Sequence, residues 1–368
     1  MQRLRVASAL FVAFLLAGST LACGPAKVEP VIDPVIEKPV DPVMSKSAEE
    51  WFLEGVNLLG EAPPKYAEAQ QRFSNALTRD PNYRDALVNL AFCHVQLGDF
   101  EEGVKQYRAA LQASPDDPSL LLSFAQVLLL SGNASEALEQ FRRVLGLNPE
   151  SLDAYYGMAR CFFAKGELPA AEQMAKEVLT RDAENVPALN FLGVLYQQQG
   201  RDALAQYIFE RAHTAAPTNV EVLNNLGLLA LKREQIATAV VHFRAAIENV
   251  PQFLEPRLNL GAIYLDYLDY NAALEQFTVA YELAPQNQLA HLGLASSLLG
   301  TGDFEKAAEV YESYAAAYPE HEVAPARLSI LYERQLGDAA KACTWYTKLA
   351  TFRPNDANVV ATRDFLCT

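Results

Sequence analysis

Residues 220–253 read VEVLNNLGLLALKREQIATAVVHFRAAIENVPQF, and residues 254–287 read LEPRLNLGAIYLDYLDYNAALEQFTVAYELAPQN. The two stretches are each 34 residues long and align without a gap. In both, the eighth residue is glycine, the twenty-fourth is phenylalanine and the thirty-second is proline. A repeat of this length predicts a fold made of stacked copies of one small unit.

The same interval organises most of the chain. Prolines, small residues and aromatic residues each recur at a spacing of 34 residues. The proline column is Pro81, Pro115, Pro149, Pro217, Pro251, Pro285 and Pro319. The small-residue column is Ala91, Ala125, Ala159, Gly193, Gly227, Gly261 and Ala295. The aromatic column is Phe73, Tyr107, Phe141, Phe209, Phe243, Phe277 and Tyr311. A further column of glycines divides the units into halves: Gly98, Gly132, Gly166, Gly200 and Gly302.

Each half of a unit has the length of a short helix, about 12–14 residues. Small residues let the two helices approach closely, and the aromatic ring fills the space beside them. The proline marks the end of a unit because it cannot continue the preceding helix. A single pair of helices cannot bury its apolar faces alone, so the units are expected to stack.

This pattern resembles the tetratricopeptide repeat, and the resemblance covers nearly all of the chain after residue 47. It implies an all-α fold, a right-handed superhelical solenoid of about nine helix-turn-helix repeats within residues 48–356. We expect residues 357–368 to form a capping helix on the apolar face of the last repeat.

Composition fits a folded protein and argues against nucleic acid as a partner. Hydrophobic residues make up 51% of the 368 residues and charged residues 20%, which argues against wholesale disorder. The 45 acidic and 30 basic residues give a net charge of −15. Because this charge repels phosphate backbones, we expect no nucleic acid as a partner.

Residues 1–22 have the features of a secretory signal peptide. Arg3 and Arg5 precede an apolar run from Val6 to Leu16, and small residues follow the run. The run is too short to span a bilayer, so we interpret it as the core of a cleaved signal.

The sequence Thr20-Leu21-Ala22-Cys23-Gly24 resembles the bacterial lipobox. The resemblance implies cleavage before Cys23 and lipidation of that cysteine. Ala22 matches the small residue of the family pattern, whereas Thr20 stands where leucine is usual. Gly24 is not the aspartate that retains such lipoproteins in the inner membrane of some bacteria. We therefore expect an outer-membrane lipoprotein that faces the periplasm; ordinary secretion with an incidental cysteine is the alternative.

A proline-rich segment follows within residues 23–47. From Val28 to Val43, a proline occurs every three to five residues. Proline lacks the amide N–H of a helix and disfavours helical geometry in the residue before it. The segment is therefore predicted to be an extended tether with a rise of about 3.1 Å per residue.

The sequence contains no recognisable catalytic or metal-binding motif. No two histidines have the spacing of metal ligands on one helix, and no phosphate-binding glycine loop or nucleophile elbow occurs. We predict no enzyme activity, no metal site, no cofactor and no small-molecule substrate. The histidines, which we assign to packing or surface roles, are His94, His213, His242, His291 and His321.

The cysteines beyond the lipobox fall into two pairs. Cys93 and Cys161 occupy equivalent positions two repeats apart, too distant for the Cα separation of about 4.4–6.8 Å that a disulfide needs. We interpret both as small core residues. Cys343 and Cys367 lie on the last repeat and the capping helix, which should pack together. We predict a disulfide between them in an oxidising compartment, with two free thiols as the alternative.

The family resemblance also implies a concave binding surface lined by the first helices of successive repeats. The lysine with which chaperone-binding members grip a carboxylate is absent from this chain, and asparagines recur instead. An asparagine side chain donates and accepts hydrogen bonds without charge, as a peptide group does, and aromatic neighbours supply buried anchors. Packing of the repeats themselves is the alternative role for these residues. The predicted contact residues are Asn89, Phe92, Gln126, Tyr156, Arg160, Phe163, Asn190, Gln197, Asn224, Asn225 and Asn259.

Lipid-anchored proteins similar to this chain serve type IV pilus assembly, gliding motility and secretion systems. The resemblance thus implies a scaffold for protein–protein interaction that assembles or stabilises a machine of the cell envelope, with pilus assembly or gliding motility as the leading expectation. The alternative is an adaptor that docks peptidoglycan hydrolases or synthases at the outer membrane. Such an adaptor would bind basic enzymes with an affinity that falls as salt rises.

Overall fold

A computed structural model describes residues 46–368 of the chain. The predicted signal peptide, Cys23 and residues 24–45 of the proline-rich tether lie outside the described residues. Within residues 46–368 the structure has nineteen helices and no strand. The chain divides into two compact units, one ending at Arg201 and the other running from Asp202 to Thr368.

The unit that ends at Arg201 contains nine helices. Odd-numbered helices are the first helices of their repeats and even-numbered helices the second. Their bounds are α1 Ala48–Leu59, α2 Tyr66–Arg79, α3 Arg84–Gln96, α4 Phe100–Ala113, α5 Pro118–Leu130, α6 Ala134–Leu147, α7 Leu152–Ala164, α8 Leu168–Arg181 and α9 Val186–Gln198.

The unit from Asp202 onward contains ten helices. Their bounds are α10 Asp202–Ala215, α11 Val220–Lys232, α12 Ile236–Asn249, α13 Leu254–Asp266, α14 Tyr270–Leu283, α15 Gln288–Thr301, α16 Phe304–Ala317, α17 Val323–Arg334, α18 Ala339–Phe352 and α19 Ala357–Leu366. The helix order confirms the predicted all-α repeat fold, with nine successive helix pairs followed by a terminal helix.

Polar side chains fix the starts of several first helices. At α5, the Asp117 carboxylate accepts hydrogen bonds from the backbone N–H groups of Ser119, at 2.9 Å, and Leu120, at 3.1 Å. Pro118 occupies the first helical position, where its missing N–H costs nothing. These acceptors satisfy amide groups that have no partner inside the helix.

The proline column fixes the ends of the second helices. Asp80, directly before Pro81, has φ −133° and ψ 96°. Asn148, directly before Pro149, has φ −137° and ψ 92°. Proline pushes the residue before it into the extended region. The last helical residues are therefore Arg79 and Leu147, two positions before Pro81 and Pro149.

The turns between first and second helices pass through the left-handed region. Gly98 has φ +82° and Gly132 has φ +83°, and the other glycines of this column are similar. In the turns between α11 and α12 and between α13 and α14, Glu234 and Leu268 replace the glycine and adopt φ +60°. This geometry costs a residue with a side chain roughly 1–2 kcal/mol, so both turns are locally strained.

The aromatic column packs between neighbouring repeats. Phe277 of α14 is 1% exposed. A Cβ atom added to Gly261 of α13 would lie 2.8 Å from its ring, and one added to Gly293 of α15 would lie 2.2 Å from it. The ring is therefore held between the backbones of its own repeat and the next, which explains why these helix faces carry small residues.

The C-terminal helix is attached to the last repeat in two ways. Cys343 of α18 and Cys367, just after α19, form a disulfide with a Cα–Cα distance of 5.2 Å. Val359 of α19 is buried in a cluster with Tyr346 and Leu349 of α18. Apolar packing and a covalent bond thus both hold α19 on the last repeat.

The other two cysteines of the described residues lie in the core. Cys93 and Cys161 are free thiols with no exposed surface. Burial raises the pKa of each thiol to about 12, so both stay protonated and unreactive. Of the helices in residues 46–368, none combines the length and apolarity that a bilayer crossing requires.

Candidate peptide-binding surface

The unit that ends at Arg201 contains a pocket of about 230 Å³ on the faces of its first helices. Side chains of α3, α5 and α7 line it, together with the start of α9 and rings from the second helices. We call it the α3–α7 pocket. Residues that line it include Phe92, Gln126, Leu130, Asp153, Tyr156 and Arg160.

Four of the predicted contact residues meet in this pocket. Phe92, Gln126 and Arg160 lie 34 residues apart, so they occupy the same position on α3, α5 and α7. Tyr156 lies one helical turn before Arg160 on α7 and lines the same cavity. All four side chains are half-buried, with part of their surface still open to a partner.

Arg160 supplies the positive charge of the pocket. Its guanidinium carbon lies 6.0 Å from the centroid of the Tyr156 ring, within cation–π range. Asp153, on the same helix, is the acidic residue of the lining. The pocket therefore combines apolar walls with one cation and one anion, a composition typical of ligand-binding clefts.

Two aromatic residues of the predicted surface pack against a neighbouring helix. The ring centroids of Phe163 and Phe191 are 5.5 Å apart, and those of Tyr156 and Phe191 are 5.9 Å apart. Phe191 of α9 is completely buried. Phe163 thus packs α7 against α9 and does not line the pocket. Tyr156 packs on Phe191 and also lines the pocket. Gln197 of α9 is half-buried and does not line the pocket.

The asparagines of this unit lie deeper than the predicted surface. Asn89 is 4% exposed, and its side-chain amide donates a hydrogen bond of 2.8 Å to the backbone carbonyl of Asp85. Asn190 is 5% exposed and also has an interaction partner. Neither residue lines the pocket.

In the unit from Asp202 onward, two predicted asparagines bond to each other. The side-chain NH₂ group of Asn259 on α13 donates a hydrogen bond of 3.2 Å to the side-chain oxygen Oδ1 of Asn224 on α11. Asn224 is 8% exposed, and the half-buried Asn225 also has a partner. The bond connects two successive first helices, and a ligand contact for these residues stays a prediction.

The histidines make different contacts, and two of them, His213 and His242, are neighbours. His94 lies 3.0 Å from the Asp99 carboxylate through Nδ1. Burial, together with the neighbouring His213 ring at 6.4 Å, lowers the pKa of His242. His321 accepts or donates a hydrogen bond of 2.7 Å with Tyr314. Residues 46–368 contain no group of three or more histidine, cysteine, aspartate or glutamate side chains placed to hold a metal ion.

Comparison with known protein families decides the assignment. The family model described as Tetratricopeptide repeat matches residues 64–124, 128–190 and 268–330, which together make up just over half of the chain. The chain belongs to the tetratricopeptide repeat family. This fold is typically a non-catalytic scaffold for protein–protein interaction, so the TPR repeats indicate protein partners.

Solved structures share the TPR fold at low sequence identity. A tetratricopeptide repeat protein from Parabacteroides merdae ATCC 43184 is 18% identical, with a TM-score of 0.56 over 68% of this chain and 98% of that one. The APC/C hetero-tetramer Cut9–Hcn1 is 20% identical, with a TM-score of 0.52 over 78% of this chain and 54% of that one. PilW, a widely conserved type IV pilus biogenesis factor, is 18% identical, with a TM-score of 0.49 over 58% of this chain and 98% of that one. No curated protein sequence matches the chain. The first two similarities show the fold alone.

The prediction from the sequence missed several residues that line the α3–α7 pocket. Asp153 is the second residue of α7 and Leu130 is the last of α5, and both belong to the same helix faces as the predicted residues. Pro187, at the start of α9, closes one side. The repeat register contains the signal for Asp153 and Leu130, because it places them on the inner face, but the prediction selected only amide, aromatic and arginine side chains.

Proposed function

We propose that this TPR protein is a lipid-anchored scaffold of the bacterial cell envelope, which binds protein partners and so assembles or stabilises an envelope machine. The observation that carries the proposal is the α3–α7 pocket. Three successive first helices align Phe92, Gln126 and Arg160 around a cavity of about 230 Å³. A mostly apolar cleft with a few convergent polar groups is the usual form of a binding site.

The anchor rests on the N-terminal sequence. Cys23 follows a basic start and an apolar run in a context that resembles the lipobox. Buried acyl chains contribute about 0.8 kcal/mol per CH₂ group, so several chains on one cysteine hold a protein durably to a membrane. The disulfide between Cys343 and Cys367 supports an oxidising compartment such as the periplasm.

Type IV pilus, gliding motility and secretion complexes are the machines we propose, with the first two as leading candidates. This part of the proposal rests on analogy with lipid-anchored repeat proteins of such machines. The net charge of −15 favours a second candidate, an adaptor for basic peptidoglycan hydrolases or synthases.

Fractionation tests the anchor. The native protein should sediment with outer membranes, and Cys23→Ala should release it into the soluble periplasmic fraction, because the acyl chains have no attachment point. Ala22→Gly keeps a small residue before the cysteine and is the matched control, which should stay in the membrane. If Cys23→Ala fractionates like the native protein, the lipid anchor is wrong.

Site-specific cross-linking tests the scaffold. A photo-reactive amino acid at Gln126, inside the pocket, should form adducts with a small set of proteins in living cells. The control position is Arg142, an exposed residue of α6 that does not line the pocket. Pilus, motility or secretion components joined from Gln126 alone would support the machine scaffold. Wall-remodelling enzymes would favour the adaptor, and identical adducts from both positions would contradict a role for the pocket.

A further inference from the structure

We infer that the α3–α7 pocket binds an extended segment of a partner protein that places a large apolar side chain in the cavity and an acidic side chain on Arg160. The inference rests on the proposed function, because it names the chemistry of the segment that the scaffold holds. Three features of the pocket carry it: its apolar volume, the presentation of Arg160, and the position of Asp153.

The cavity is suited to one large apolar side chain. Its volume of about 230 Å³ is far above the roughly 10–15 Å³ that a single water needs. Phe92, Val127 and Leu130 form apolar walls, and 40% of the Leu130 surface is exposed. Filling the cavity with a leucine or aromatic side chain buries apolar surface on both partners, as anchor residues do at the centre of interfaces.

Arg160 is presented for a carboxylate. Within the described residues its guanidinium contacts the Tyr156 ring and not a carboxylate. At 6.0 Å from its centroid the ring does not occupy the guanidinium N–H groups, which stay available for a forked pair of hydrogen bonds. Tyr156 is itself held by Phe191 at a centroid distance of 5.9 Å. Arg160 therefore offers a positive charge to a partner's carboxylate beside a ring that is packed in place.

Asp153 gives the segment a direction. It lies seven residues before Arg160 on α7, which is about 10 Å along a helix. An acidic side chain is attracted to the Arg160 end and repelled from the Asp153 end. The bound segment therefore carries its acidic residue at one end, and a basic or N–H donor group at the other.

Selection of binding peptides tests this chemistry. A displayed library of random heptapeptides is panned on the purified full-length protein, on Arg160→Glu and on Arg142→Glu. The native protein and the Arg142→Glu control should enrich peptides with aspartate or glutamate beside a large apolar residue. Arg160→Glu should lose the acidic residue and enrich lysine or arginine in its place, because the charge of the pocket is reversed.

Titration of one selected peptide measures the contact. Arg160→Gln should weaken its binding roughly ten- to hundredfold, the range of a charge-assisted hydrogen bond. Arg160→Lys should recover part of the loss, since it keeps the charge without the fork. Arg142→Gln should bind like the native protein. Circular dichroism spectra that match the native protein establish that the Arg160 variants are folded.

Several outcomes would overturn the inference. These are enriched peptides that lack an acidic residue, the same peptides selected by Arg160→Glu, or no enrichment at all. Peptides that match residues 28–43 would show that the pocket takes a segment of its own chain and not a partner. None of these assays uses a membrane, so a failed Cys23→Ala fractionation would overturn the anchor and leave the result for the pocket unchanged.

Discussion

Gly157 of α7 lies against the ring of Phe141 on α6, and a Cβ atom there would be 2.2 Å from a ring carbon. Gly146, also on α6, has nothing within 4 Å of such an atom. We predict that Gly157→Ala lowers the free energy of unfolding by about 1–3 kcal/mol, because the ring or the helix it packs on must shift to admit the methyl group. Gly146→Ala should raise it by about 0.5–1 kcal/mol, since alanine favours a helix. Urea denaturation measures both, and equal effects would contradict the close packing.

A second prediction at the residue scale concerns Leu268. It adopts φ +60° in the turn between α13 and α14 and is 66% exposed. Leu268→Gly should stabilise the protein by about 0.5–1 kcal/mol, because relief of the left-handed strain exceeds the entropy that glycine adds to the unfolded chain. Leu97→Gly is the control, since Leu97 is also exposed but has φ −85°. Thermal unfolding should show a higher Tm for the first variant only.

Among the helices, α15 contains a buried histidine that links stability to pH. His291 is 2% exposed, and neither ring nitrogen has a hydrogen-bond partner within the described residues. Its ring contacts Tyr281 of α14 at 4.8 Å and Tyr314 of α16 at 5.7 Å. Burial lowers the pKa of His291, so the folded protein resists a proton that the unfolded chain accepts near pH 6.5.

Stability should therefore fall as the pH drops below about 6.5. We predict that His291→Phe loses less of its free energy of unfolding between pH 7 and pH 5 than the native protein does. Denaturation curves at several pH values measure the difference. The same pH dependence in both proteins would mean that His291 is not protonated on unfolding in this range.

The terminal helix α19 gives a prediction about redox state. The disulfide between Cys343 and Cys367 closes a segment with a sequence separation of 24. Reduction should destabilise the docking of α19 by about 3 kcal/mol, because the undocked segment gains the conformational entropy that a closed loop of about this length lacks. Hydrogen exchange should then accelerate in residues 357–366 and stay unchanged in α1 to α8. A chain whose mass after alkylation is the same with and without reductant would contain no disulfide.

At the scale of the whole molecule, charge separates the two candidate functions. A partner held in the α3–α7 pocket is bound largely by apolar contact and one partly buried cation, so added salt should change its affinity little. A basic wall enzyme bound through the net charge of −15 should be released steeply as salt rises. Titrations of a purified partner at low and high salt distinguish the two modes.

The repeat fold could be predicted because each column of the sequence has a local physical cause. Pro81 ends α2, Gly98 turns the chain, and the small residues make room for aromatic rings. The binding surface could not be predicted as well, because contacts between repeats decide which of its side chains stay open to a partner and which are used in packing. The sequence does not reveal that Asn224 and Asn259 bond to each other. Nor does it indicate that Leu268 takes the place of a turn glycine.

The close packing around the Phe277 ring limits which repeats can be duplicated or exchanged in such a chain. Its ring needs a residue without a side chain at position 293, yet the equivalent residue one repeat earlier is Asn259. A chimera in which residues 254–287 replace residues 288–321 would put an asparagine against the ring. Neighbouring units are thus matched to each other at this seam, and they are not freely interchangeable modules.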